Sequence, residues 1–388
     1  MLGSGGTIAK RFVFTIIKKS LLAPGTLEEL FKVFAWSMNS LLTAIMPSVN
    51  WLQIAMEGGR KYIAAGYRGV LTHIRGDWEF QCHIFNFPKW NEAIRMCWIC
   101  RASSTISELL FTKCGLDAGW RHTRVTHEDY LNDLRASGAA IPILFTLIVG
   151  LRLECVMIDV LHCVDQGVAS HVIGNIFWEL VCAHKWGKPT QEANVAELMK
   201  QMHAWYAAQK TSSKVQGKLA LERIRNTNGW PKLKAKAAAT RHLAEFALAL
   251  AIEHDDGTPH SRMRVGVAQC LVDFYKMLKA EGMFLSDDAK KRLPKLGRTL
   301  CTLYSKLCSE AFGQGTKFWK MSPKHHLFQH LCEDQALAYG NPAFYWTYAD
   351  EDLVGLLIEV AHSCHPSTMA TVGLFKWRIL GFDPDVAA

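Results

Sequence analysis

Residues 155–167 read Cys-Val-Met-Ile-Asp-Val-Leu-His-Cys-Val-Asp-Gln-Gly. Four apolar residues, Cys155–Ile158, run straight into Asp159; a short apolar run with a polar boundary predicts a buried strand that delivers a carboxylate at its end. Upstream, Val70-Leu71-Thr72-His73-Ile74 alternates like a half-buried strand and leads into Gly76-Asp77. The periodicity elsewhere is helical. Leu30, Phe31, Phe34, Ala35 and Met38 share one face near the N-terminus. Thr190 with Glu192 opens a helix, and the Ala-rich stretch 234–254 has high helix propensity. A further helix is expected from about His260 to Gly282, and Ser286-Asp287-Asp288 caps another that Pro294 should kink or interrupt. The expected fold class is α+β and predominantly helical. A helical segment (1–65) is followed by an α/β portion with a Cys/His segment (66–164), a helical insertion (165–320) and a return to the α/β portion (321–388).

Composition bounds what such a chain can be. At 388 residues and 49% hydrophobic it can bury a sizeable core, which excludes wholesale disorder; roughly 150 residues per domain gives two or three domains, or one fold with a large insertion. The longest clean apolar run, 139–149, contains Pro142 and is too short for ~30 Å of hydrocarbon. The Phe12–Ile17 run is cut by Lys18 and Lys19, unlike a secretory signal. A soluble, intracellular protein without a membrane partner is expected. Its twelve cysteines, scattered from Cys82 to Cys364, are then reduced and mostly buried.

The net charge of +9 is concentrated. Between Lys200 and Arg241 ten basic residues face one acid, Glu222, and a second basic stretch runs from Lys290 to Lys324. Clustered cations attract polyanions through counterion release, which points to nucleic acid; the rival reading is a solvated helix face. The candidate DNA contacts are Lys214, Lys218, Arg223, Arg225, Lys232, Lys234, Lys236 and Arg241.

Two constellations could carry chemistry. Asp77, Asp159 and Glu351 sit at the ends of apolar segments, Glu351 at the start of a helix in Trp346–Gly355. Three converging carboxylates can hold a pair of Mg2+ ions for phosphodiester chemistry, although each acid alone reads equally as a cap or an ion-pair partner. The second constellation is Cys97-x2-Cys100 followed by His122-x4-His127, spacings that suit a structural tetrahedral Zn2+, with Cys114 as a competing ligand. His326 and His330 lie at i and i+4, a further possible metal pair. Leu327 and Leu331 mark that segment as packing, so these histidines are read as polar or DNA-backbone contacts. No phosphate-binding glycine motif is present, and adjacent His162 and Cys163 point apart, against a thiol enzyme.

The order of these blocks resembles the transposases of CACTA (En/Spm-type) DNA transposons. The matching positions are Gly76-Asp77, Cys97 with Cys100, His122 with His127, Asp159 with His162, Lys324 through Leu331, and Glu351 with Gly355. The resemblance spans about residues 66–360. It implies an RNase H-like α/β portion with a helical insertion before the last glutamate, and strand cutting and joining by three acids. It places Asp77 as the second catalytic aspartate and Glu351 as the glutamate, and leaves Asp159 without an assigned role. Residues 1–76 contain no aspartate to serve as the first acid. The expectation that follows is a truncated, transposase-derived protein, nuclear and DNA-binding but catalytically degenerate. The alternatives are an active two-metal transposase or nuclease using Asp77, Asp159 and Glu351, and a zinc-stabilised helical interaction scaffold.

Overall fold

A computed structural model of the chain describes residues 13–211 and 213–382. Residues 1–12, with Phe12 of the N-terminal apolar run, and 383–388 lie outside the described residues. The helices are α1 (Thr26–Thr43), α2 (Trp78–Phe85), α3 (His127–Ser137), α4 (Ile143–Leu147), α5 (Ser170–Cys182), α6 (Gln191–Gln209), α7 (Leu221–Ile224) and α8 (Ala237–His242). They continue with α9 (Ala244–Glu253), α10 (Pro259–Ala280), α11 (Asp287–Gly313), α12 (Pro323–His330), α13 (Ala336–Tyr339), α14 (Tyr348–His362) and α15 (Met369–Phe382). Two compact units emerge. One combines Met1–Ile74, Leu131–Val156 and Thr347–Ala388; the other combines Arg75–Tyr130 and Met157–Trp346.

The protein is predominantly helical. The two expected strands meet only at an isolated parallel bridge, Ile74 with Val156, in which the Ile74 amide donates to the Cys155 carbonyl at 2.8 Å. Among the described residues no longer ladder forms, and the reason is local. Asp77 and Asp159 do not prolong strands; they start helices. Asp77 Oδ1 accepts the Phe80 amide at 2.6 Å and caps α2, and Asp159 Oδ2 accepts the His162 amide at 3.0 Å. The polar backbone that a sheet would have paired is met by buried amide side chains. Gln81 donates to the Met157 carbonyl at 2.7 Å, and Gln335 accepts the Ile158 amide at 2.8 Å.

The larger unit is built around α5, whose Val172, Ile173, Ile176, Phe177, Leu180 and Val181 are all buried. A π-helical segment, Leu161–Ala169, leads directly into it. Helices α10 and α11 pack along each other, and the cap read from sequence at Ser286 holds, joined by one at Thr258 that the structure adds. Thr258 caps α10 with Pro259 at its first position, and Ser286 accepts the Ala289 amide at 3.2 Å to start α11. Pro294 does not interrupt α11, which runs unbroken to Gly313 because its apolar face, Leu293, Leu300, Tyr304 and Leu307, is buried along the whole length. The 234–254 stretch is two helices that meet at Leu243. Among the described residues no helix is long and apolar enough to cross a membrane.

An ion network ties α5, α10 and α11 together. His260 lies 2.9 Å from Glu179 and 2.9 Å from Glu310, and Arg264 approaches Glu179 at 3.2 Å. The Glu179 hydrogen bond and charge, followed by Glu310, raise His260 to about 9 against the opposing effect of burial. A group whose folded-state pKa is raised stabilises fully below its unfolded value, near 6.5, and that stabilisation disappears as pH climbs to about 9. Thermal midpoints measured between pH 6 and 10 should therefore fall with rising pH, and His260→Gln should flatten the profile; equal slopes would exclude this network as a source of stability.

Candidate metal centre

Helix α12 carries the sequence Pro-Lys-His-His-Leu-Phe-Gln-His, with Pro323 in its first turn and a capping box between Ser322 and His325. Residues His325–His330 are all buried. Spacing of i and i+4 puts His326 and His330 on one face, one turn apart. The Cys97–Cys100 loop meets that face. Trp98 anchors the loop by stacking on Phe87, 5.0 Å between centroids, with the Trp78 ring edge-on at 5.6 Å. An antiparallel bridge, Cys100 with Arg124, ties its far end down.

Four ligand atoms, from Cys97, Cys100, His326 and His330, lie within 4.8 Å of one another, and all four residues are buried. Cys100 Sγ is 3.3 Å from Nε2 of each histidine, and the two Nε2 atoms are 3.1 Å apart. A zinc tetrahedron with Zn–N near 2.05 Å and Zn–S near 2.3 Å has edges of about 3.3 Å between nitrogens and about 3.6 Å between nitrogen and sulfur. The observed edges fall within a few tenths of an ångström of these. Two thiols and two imidazoles converging in a dry site form an acceptor-rich arrangement that a cation satisfies and apolar packing does not. The Ile99 amide donates to Cys97 Sγ at 3.3 Å. Although burial opposes it, the Cys100 hydrogen bond and the facing His330 and His326 hold the Cys97 thiol well below its usual range. The donor set fits a metal ion such as Zn2+.

The surroundings orient the ligands. His330 Nδ1 pairs with Asp334 Oδ2 at 2.7 Å, and Arg124 also reaches Asp334. With its proton on Nδ1, His330 turns the Nε2 lone pair toward the cluster. Asp334 lies in a π-helical turn, Leu331–Gln335, that continues α12. The Trp120 ring stands edge-on to His326 at 4.4 Å and His330 at 5.1 Å, and Arg121 covers Trp120 at 4.5 Å while pairing with Glu333. Behind the helix, a Cβ on Gly297 would meet Cys332 Cβ at 2.7 Å, so α11 must present glycine there.

The ligand set expected from spacing therefore needs correction. Cys97 and Cys100 belong to the cluster, but His122 is exposed at the end of the 3-10 turn Gly119–His122, and His127 opens α3. Their places are taken by His326 and His330, which the face of α12 brings against the Cys97–Cys100 loop. The i, i+4 pair was visible in the sequence. Its leucine neighbours pointed to packing, and a wholly buried helix does both.

The acidic residues are distributed between the two units. Asp77 and Asp159 belong to the larger one, where both carboxylates act on the amine of Lys324, which burial pushes below its usual range. Asp159 is 4% exposed and also accepts from His162 Nδ1 at 2.6 Å, so one carboxylate caps the helix start and orients the imidazole three residues on. Glu351 lies in the first turn of α14, in the other unit.

The basic stretch also departs from its expected form, since between its helical ends only the short α7 is helical. Between α6 and α8 the chain forms a hairpin, with Arg225 bridged to Pro231, the Lys232 amide on the Ile224 carbonyl and the Lys234 amide on the Arg223 carbonyl, both at 2.7 Å. Several of its cations serve the fold. Arg223 donates to the Lys234 carbonyl at 3.1 Å, Arg225 to the Gly229 carbonyl at 2.8 Å, Lys234 bonds Asn226, and Arg241 lies over Trp346 at 4.8 Å. Lys214, Lys218, Lys232 and Lys236 are exposed. Comparison with protein-family models, curated proteins and solved structures finds no match to this chain.

Proposed function

We propose that this is a transposase-derived, DNA-binding protein whose larger unit is held together by a structural zinc ion. The observation that carries the reading is the Cys97–Cys100–His326–His330 cluster. It joins two motif blocks that the CACTA resemblance sets 226 residues apart, counted from Cys100 to His326, so the order of motifs has a physical purpose. A helical body carrying an exposed basic hairpin supports DNA as the partner, and a nuclear location is part of the same proposal. So is descent of the Ile74–Val156 bridge region from an RNase H-like sheet. The test is elemental analysis of the purified protein together with duplex-DNA titrations across salt. One zinc per chain, with affinity falling steeply between 50 and 200 mM salt, is expected; metal-free protein or salt-independent binding would defeat the proposal.

A second reading, metal-dependent strand cutting that uses Asp77 and Asp159 of the larger unit, is favoured by the shared action of these two carboxylates on Lys324. It predicts Mg2+- or Mn2+-dependent nicking that Asp77→Asn and Asp159→Asn each abolish. Nicking that survives both substitutions would exclude it.

A further inference from the structure

The hairpin between α6 and α8 has a two-residue period. Pro231 and Leu233 are buried, whereas Lys232 and Lys234 are exposed. It is clamped on α5. The Leu233 amide donates to the Ser170 carbonyl at 2.8 Å, and a Cβ on Gly174 would lie 2.6–2.8 Å from the backbone of Lys232 and Leu233. From the other side, the segment that follows α11 closes on the hairpin. Lys317 Nζ donates to the Asn228 carbonyl at 3.0 Å, and Lys320 Nζ lies 5.9 Å from the Trp230 ring centroid. Lys232, Lys317 and Lys320 are exposed, and none of them makes an ion pair among the described residues. The charges of Lys232 and Lys320 are felt by half-buried His171, whose Nδ1 sits 3.2 Å from the Pro231 carbonyl. Burial first, then Lys232, Lys324 and Lys320, pushes this imidazole down to about 4. Lys324 is the inner member of the group; its amine donates to the His162 carbonyl at 2.7 Å and is faced by Asp159 and Asp77. The outer three lysines have no such compensation, and like charges held together by the backbone are stabilised by an anion that spans them.

We propose that Lys232, Lys317 and Lys320 form a phosphate-binding groove, between the hairpin and the segment after α11, that holds consecutive phosphates of a DNA strand. The proposal rests on the DNA-binding reading for its ligand. It differs from the sequence-based expectation by using Lys317 and Lys320, and by leaving Lys214 and Lys218 outside the site.

The experiment measures duplex-DNA affinity against salt for the full chain, a Lys232→Gln/Lys317→Gln/Lys320→Gln variant and a Lys214→Gln/Lys218→Gln variant. Circular dichroism and zinc content confirm that each is folded. The groove variant should lower the slope of log affinity against log salt by about 2.7 (roughly 0.9 per lost phosphate contact) and weaken binding more than tenfold, with the control unchanged. A slope lost in the control and retained in the groove variant would overturn the site while leaving DNA binding intact. If the unmodified chain does not bind DNA, acylation footprinting with tripolyphosphate decides the matter. Protection of Lys232 and Lys320 upholds an anion site with a different ligand; equal labelling with and without tripolyphosphate overturns it.

Discussion

Cys100→Ser is expected to abolish stoichiometric zinc binding and to lower the stability of the larger unit more than any single core truncation. Cys100 Sγ is the atom that both histidines approach, at 3.3 Å each, and its loss opens all three edges of the tetrahedron that meet there. Structural zinc contributes an apparent ~10–16 kcal/mol in small zinc-finger peptides. Here the packing of α10 on α11 and the apolar core around α5 persist without the ion, so the loss should be about 5 kcal/mol, or roughly 10–20 °C in Tm for a unit of this size. His326→Ala should behave alike. His122→Ala and His127→Ala should leave zinc content unchanged, which separates the observed ligand set from the one that spacing suggests. Retention of a full equivalent of zinc by Cys100→Ser would remove the cluster from the account.

Asp334→Asn is expected to weaken zinc binding by about 10–100-fold without unfolding the protein, the usual consequence of losing a carboxylate behind a ligating histidine. Asp334 holds His330 Nδ1 at 2.7 Å and is itself held by Arg124. An amide keeps the volume but removes the charge and can present N–H to the imidazole, favouring the wrong tautomer. Chelator competition at fixed pH measures the change, and far-UV circular dichroism checks the fold. Glu333→Gln, one residue away and paired with Arg121 rather than with a ligand, is the comparison. If both variants bind zinc equally well, Asp334 has no role in positioning His330.

A third expectation concerns Gly174. An alanine there would press its Cβ against the hairpin backbone at 2.6–2.8 Å, which nothing flexible can relieve. Gly174→Ala should cost about 1–3 kcal/mol, as overpacking does, read from chemical denaturation. By shifting Lys232 it should also weaken DNA binding; a neutral substitution would mean that the hairpin is not fixed on α5.

What the sequence disclosed, and what it withheld, follows from the range of the interactions. Helix starts at Thr190 and Ser286 are set by contacts three residues long, so side-chain chemistry announces them. Cys155–Ile158 looked like a strand because it is apolar and buried. An extended segment becomes a sheet only with neighbours, and here Gln81 and Gln335 supply the hydrogen bonds instead. Half of the metal centre was legible, since Cys97 and Cys100 lie in one turn. The other half was hidden by chain separation, and nearby His122 and His127 offered a plausible decoy. Arg223 and Arg225 carried the right charge for DNA, yet both are spent on backbone carbonyls, a use that composition cannot reveal.

The most direct test is X-ray absorption at the zinc edge on the purified full chain. Two sulfur neighbours at about 2.3 Å and two nitrogen neighbours at about 2.0–2.1 Å are expected, with the zinc edge lost from purified His326→Ala. A zinc shell made of oxygen and nitrogen alone, or an unchanged spectrum in that variant, would contradict the centre on which the account is built.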